Sequence, residues 1–134
     1  MILTSLLAVL LSVPSSVLTV PIFSVPQTEA ATLSKSELID IATDIARAHH
    51  LNVDHFLKTV DCESRWIVDA VGDAGHSHGL VQIYQPAHTD ITIEQANNPR
   101  FALMWMAREW QNDHAYWWTC WRIISSASAY TAAQ

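Results

Sequence analysis

Glu63 stands three residues after Val60 and seven after Phe56, so its carboxyl shares the apolar face of any helix that carries those two side chains. A carboxyl at an exposed position, with a pKa of about 4, is ionised at neutral pH and has no proton to donate. Desolvation raises that value, which suits an inward-facing Glu63, preceded by Val60 and followed by Trp66, to general acid catalysis. Asp61 and the negative end of the helix push the same way, whereas Arg65 pulls the pKa back down. The alternative for such a residue is a partner in a structural hydrogen-bond network. Downstream, all three glycines of the chain, Gly72, Gly75 and Gly79, fall between Arg65 and Val81, and Leu80-Val81-Gln82-Ile83 follows them. Glycine permits positive φ and close approach of a backbone to a ligand, so this loop reads as one whose main-chain geometry matters rather than as a plain surface turn.

Other constellations are weaker. His76-Ser77-His78 is the best metal candidate among seven histidines, but zinc needs three or four ligands at recognisable separations and none is supplied, so no metal and no cofactor is expected. A Cys62 nucleophile with a loop histidine is disfavoured, because Cys62 and Cys120, the only two cysteines, are better explained as one disulfide in an exported chain. Two buried thiols are the alternative if the chain is cytosolic. Asp69, Asp73 and Asp90 lie outside any motif and read as solvated loop acids.

The elements that must position Glu63 are helical. Ser34-Lys35-Ser36-Glu37 is a capping box, and Leu38, Ile41, Ala42, Ile45 and Ala46 then recur at helical spacing as far as His49 and His50. Asp54 is the expected cap of a second helix running from His55 to about Ser64, with Phe56, Leu57 and Val60 inside. Asn98-Pro99 opens an apolar helix through Phe101, Leu103, Met104, Met106, Ala107 and Trp110, which is expected to be central. Residues 117–124, rich in tryptophan, predict a last short helix, and residues 125–134 a frayed Ser/Ala-rich tail. No strand pattern of useful length occurs, although the glycine loop has room for a small hairpin. The fold class is therefore all-α, a compact bundle of about five helices.

The 134 residues suffice for one domain. Nothing in residues 1–28 carries a side-chain charge, residues 2–13 are apolar, and Thr28-Glu29-Ala30 ends on a small residue, which predicts an export signal over residues 1–30. No Lys or Arg precedes the run, and it continues through Pro14, Pro21 and Pro26, so an uncleaved membrane anchor and a cytosolic apolar tail stay open. Either of the first two places residues 31–124 outside the cytoplasm, secreted or in the cell envelope. A formal charge of −6 with seven scattered Lys and Arg argues against nucleic acid, and any glycan would be held by hydrogen bonds and aromatic stacking rather than long-range attraction.

Glu63-Ser64-Arg65-Trp66, Ala70-Val71, Gly75 and Gly79-Leu80-Val81-Gln82-Ile83 together resemble the active-site signature of the soluble lytic transglycosylase domain family and, more distantly, goose-type and chicken-type lysozymes. The resemblance covers roughly residues 38–110. It implies a lysozyme-like α-rich fold acting as a monomer on peptidoglycan glycan strands, with Glu63 as general acid and base at the β-1,4 bond between N-acetylmuramic acid and N-acetylglucosamine. It implies that the substrate's N-acetyl group assists bond cleavage and that the C6 hydroxyl of the muramic unit then closes a 1,6-anhydro end, with no second carboxylate. A two-carboxylate hydrolase instead needs a partner about 5 Å away for retention, or about 6.5–9.5 Å for inversion. By the same resemblance, Gln82 and the backbone of Gly79 and Ile83 hydrogen-bond the sugars, Ser77 lines the cleft, and Tyr84 is a stacking platform. Trp105 and Trp110 read as core; Trp117 and Trp118, neighbours on a helix, cannot share one face, and Trp118 is the one expected to reach the glycan. The family's Ala-Tyr-Asn-x-Gly motif is missing, since Ala115-Tyr116 runs into Trp117-Trp118. That departure leaves hydrolysis by a muramidase open, and a glycan-binding protein without turnover, or an inhibitor-like partner of another wall enzyme, is the competing class.

Overall fold

In the computed structural model, which describes residues 32–132, helix formation begins where the chain first offers a complete cap. Ser34 accepts from the Glu37 backbone and the Glu37 carboxylate takes the Ser34 N–H at 2.8 Å, so helix α1 (Lys35–Ala48) starts with two otherwise orphaned donors satisfied. Its inner stripe is small, with Leu38, Ala42 and Ala46 buried, which lets α1 lie close to its neighbours.

Helix α2 (Val53–Ser64) is capped by Asn52, whose side chain accepts from the His55 N–H at 2.9 Å, and not by Asp54. Starting two residues earlier brings Val53 onto the core, while Asp54 sits exposed in the first turn and pairs with Lys58 at 2.8 Å. The helix stops because Arg65 and Trp66 both adopt left-handed backbone, at φ 54° and 67°. Ser64 fixes that reversal: its Oγ donates to the Val60 carbonyl and accepts from the Trp66 N–H, each at 3.2 Å.

The glycine-bearing loop holds more strand than the hairpin for which the sequence leaves room. Three two-residue strands, β1 (Val71–Gly72), β2 (Ser77–His78) and β3 (Ile83–Tyr84), form an antiparallel sheet in that order, with Val71 opposite His78 and Ser77 opposite Tyr84. Gly79 is placed by sterics: its φ is +81°, and a Cβ there would run into the Ala96 carbonyl. The loop therefore rests on α3 (Ile93–Ala96), a single turn with its own capping box from Thr92 and Gln95.

Asn98 accepts from the Phe101 N–H and Pro99 takes the first position of α4 (Pro99–Gln111), which buries Ala102, Leu103, Trp105, Met106 and Ala107. A 3-10 turn, Ala115–Trp117, then leads into α5 (Thr119–Ala132), and the helix runs well past residue 124. The segment expected to fray is thus helical as far as Ala132. Helix α1 packs on α2 and α4, and α2 packs on α5. The core between them is closed by Phe56, Val60, Leu38, Leu103 and Met106, with Leu80, Val81 and Ile83 brought in from the loop. The architecture is α-rich, with five α-helices and one minimal sheet among the described residues.

Cys62 and Cys120 are bonded, with Cα atoms 5.9 Å apart, which ties the last turn of α2 to the first turn of α5. A disulfide is compatible with an oxidising, extracytoplasmic setting. Among the described residues no helix is long and apolar enough to cross a membrane. The predicted signal or anchor over residues 1–30 lies outside the described residues.

Candidate active site

Glu63 sits half-buried in the last turn of α2 and lines a cleft of about 620 Å3. Its Oε1 accepts from the Cys120 N–H at 3.2 Å, so the disulfide that joins the two helices also fixes the distance between this carboxyl and its donor. Burial pushes the Glu63 pKa above its ordinary value; the Cys120 hydrogen bond favours the ionised form and lowers it, and the negative charge of Asp73 raises it again. Burial is the largest of the three, and the carboxyl is biased toward keeping its proton. The charged neighbour that matters is therefore Asp73 rather than Asp61, which pairs with Lys35 at 3.1 Å. Arg65 is exposed and faces a different cavity, with Lys35 and Asp61.

Asp73 is drawn into the cleft by its backbone. Both Asp73 and Ala74 are left-handed, at φ 47° and 55°, which is costly for residues that carry a Cβ. That conformation places Asp73 on the cleft wall and brings the Ser77 hydroxyl into a short hydrogen bond with Asp73 Oδ2. Asp73 is exposed, as expected of a solvated loop acid, and it also lines the cleft, a place that the sequence reading does not give it. Ser77 lines the cleft as expected, yet it is 1% exposed and its hydroxyl is committed to the aspartate.

Gln82 also lines the cleft, but its amide holds the loop together. Nε2 donates to the Gly79 carbonyl at 2.9 Å and to the Ala70 carbonyl at 3.2 Å, and its own φ is 51°. Gly72 faces it, where a Cβ would collide with Gln82 Oε1. Gly79 and Ile83 do not line the cleft: Gly79 packs against α3 and Ile83 belongs to the core. Both act on the site through loop shape.

Tyr84, 45% exposed, stands on the cleft wall with one side open to solvent. Opposite in chain position, Trp117 and Trp118 both line the cleft. They are not neighbours on one helix. Trp117 ends the 3-10 turn, and Trp118 is extended at φ −85°, ψ 123°, so the adjacent rings take different roles. Trp118 is 5% exposed and its Nε1 donates to the Val81 carbonyl at 2.7 Å, bracing the loop against α5. Trp117 is the open one, at 42%. His114 stacks on it with centroids 4.2 Å apart and planes at 9°, and His114 Nδ1 lies 2.8 Å from Glu109 Oε2. His88 and Trp105 complete this wall, with their rings edge to face at 4.9 Å. Trp105 is thus core and cleft at once, whereas Trp110 lies outside this cleft.

No family model, no curated protein and no solved structure matches this chain. The likeness to the transglycosylase signature accordingly rests on the quoted residues alone. His76 and His78 do not converge: His76 is exposed beside Tyr84, while His78 is buried in β2. No group of three or more His, Cys, Asp or Glu capable of holding a metal ion occurs among the described residues. Asp73, Ala87, His88, Trp105, Trp117 and Thr119 are the cleft residues that the sequence reading does not single out as such. The left-handed pair at Asp73 and Ala74 leaves no trace in residue type. The aromatic run at Tyr116-Trp117-Trp118 is a visible signal, but it folds as a 3-10 turn ending in an extended residue and not as the expected helix.

Proposed function

We propose that the chain is a peptidoglycan lytic transglycosylase, with Glu63 as the acid and then the base at the β-1,4 bond between N-acetylmuramic acid and N-acetylglucosamine. The observation that carries this reading is a half-buried carboxyl, biased toward its protonated form, on the wall of a cleft that also holds open aromatic rings. Such a cleft offers a proton donor at one point and stacking surfaces for sugar faces at others. Glu63 gives its proton to the glycosidic oxygen as the C–O bond breaks, and the substrate's N-acetyl group assists departure. The carboxylate then takes the proton of the C6 hydroxyl as that oxygen bonds to the anomeric carbon, which closes the 1,6-anhydro ring and restores the acid. The partner is the glycan strand, and the setting is the cell envelope or its exterior.

Asp73 favours a second reading on the same site, a muramidase that admits water. A second carboxyl in the same cleft, whose charge helps to raise the Glu63 pKa, is a group that a two-carboxylate hydrolase requires. Digestion of purified cell walls decides between these and the non-catalytic alternative. Glu63→Gln is expected to lower the rate by roughly a hundred- to ten-thousand-fold, the range that general acid catalysis contributes; equal digestion by wild type and variant would end the assignment of Glu63 as the acid, and no digestion by either would leave a glycan-binding protein. Mass spectrometry of the released muropeptides then separates the two reactions: anhydro ends report transglycosylation, reducing ends hydrolysis. If hydrolysis is found, Asp73→Asn should abolish it.

A further inference from the structure

The 3-10 turn Ala115–Trp117 presents adjacent rings to two cavities: Trp117 lines the cleft, and Tyr116 lines a second cavity of about 350 Å3. Beside Tyr116 stand Trp110, Trp121 and His55, with Asp113 and Asn52 among the polar members. His55 and Trp121 are stacked, centroids 5.7 Å apart and planes at 6°, and Trp110 meets Trp121 edge to face, so three of these rings hold one another in place. Tyr116 is 54% exposed and meets His114 and Trp117 only edge to face, which leaves much of its ring open beside the cavity. The Trp110 Nε1–H is buried and has no hydrogen-bond partner among the described residues, an unmet donor in an aromatic setting. The two cavities stand back to back, for the Trp110 and Trp118 rings are 6.4 Å apart.

Rigid aromatic faces and a carboxylate acceptor match the surface of a pyranose, whose C–H faces are apolar and whose rim carries hydroxyl and acetamido groups. Asp113 also disfavours an anionic occupant such as an acidic peptide. We propose that this cavity is a second carbohydrate site, which holds an N-acetylhexosamine unit of a glycan strand outside the reactive cleft. The choice of sugar rests on the glycan reading of the cleft, with which it shares the turn. A strand engaged at both points is retained by effective concentration when either contact opens.

The six tryptophans give six indole N–H resonances, and Trp→Phe variants assign them. The full-length Glu63→Gln chain is titrated with the trisaccharide of N-acetylglucosamine, with Trp118 reporting the cleft and Trp110 the second cavity. Both resonances are expected to move, with different midpoints. Tyr116→Ala should weaken the Trp110 midpoint about tenfold, the order expected for loss of one aromatic contact, and leave that of Trp118 in place. Asp113→Asn, at a left-handed position that asparagine accepts, should weaken the Trp110 midpoint severalfold and serves if Tyr116→Ala does not fold. A Trp110 resonance that stays still, or that follows Trp118 at the same midpoint and ignores both substitutions, overturns the second site. A silent Trp118 beside a responsive Trp110 instead removes the glycan reading of the cleft.

Discussion

Replacing both cysteines, Cys62→Ala with Cys120→Ala, tests the coupling between stability and chemistry in this fold. The bond spans a sequence separation of 58 residues, and releasing a loop of that size returns about 14 cal/mol/K of chain entropy to the unfolded state, or about 4 kcal/mol at 25 °C. For a domain of about 100 residues that corresponds to a drop in Tm of roughly 15–30 °C. The same bond keeps Cys120 beside Glu63, and the Cys120 N–H is what lowers the pKa of that carboxyl against burial. Loosening it should move the Glu63 pKa further up, so the alkaline limb of the rate profile should shift to higher pH in whatever fraction remains folded. Thermal melts by circular dichroism and wall digestion across pH read the two effects separately. A stability loss under about 1 kcal/mol, or an alkaline limb that does not move, refutes the reasoning.

Three further outcomes follow from single sites. Because the folded-state pKa of Glu63 is raised, its contribution is fully present below the unfolded value and is lost as pH rises through the folded value, so Glu63→Gln should melt higher than wild type at pH 7 and converge with it near pH 4. Gly79→Ala should destabilise by more than about 1–3 kcal/mol in chemical denaturation, since left-handed strain adds to a collision with the Ala96 carbonyl. Trp118→Phe leaves the Val81 carbonyl without its indole donor and should lose about 1–3 kcal/mol, with Gly79→Ala the more damaging of the two.

What the sequence discloses is what is local. The Ser34 to Glu37 box and the Asn98-Pro99 start are complete within a few residues, and both helices begin where those residues place them. The cap of α2 is less legible because Asn52 and Asp54 are both competent, and the choice falls to Val53, which reaches the core only if the helix starts early. Helix α3 carries a capping box at Thr92 and Gln95, yet four residues are too few to show periodicity. The inward aim of Glu63 follows from its spacing to Val60 and Phe56, which a helix preserves. The place of Asp73 does not, since two successive non-glycine residues with positive φ are set by tertiary packing that no short stretch of sequence encodes. Trp117 and Trp118 depart from the helical expectation for a related reason: a 3-10 turn ending in an extended residue breaks the angular rule that relates neighbours on an α-helix.

The hydrogen bond from the Cys120 N–H to Glu63 also bears on when the protein becomes competent. A chain emerging from its N-terminal side delivers the acid long before the backbone donor that holds it, with 58 positions separating the linked cysteines. Until that later stretch has emerged, α2 lacks both its crosslink and its partner helix α5. Closure further requires an oxidising compartment, so the same polypeptide held among reducing thiols stays unfastened. The order of residues along the chain thereby sets how early the crosslink can close.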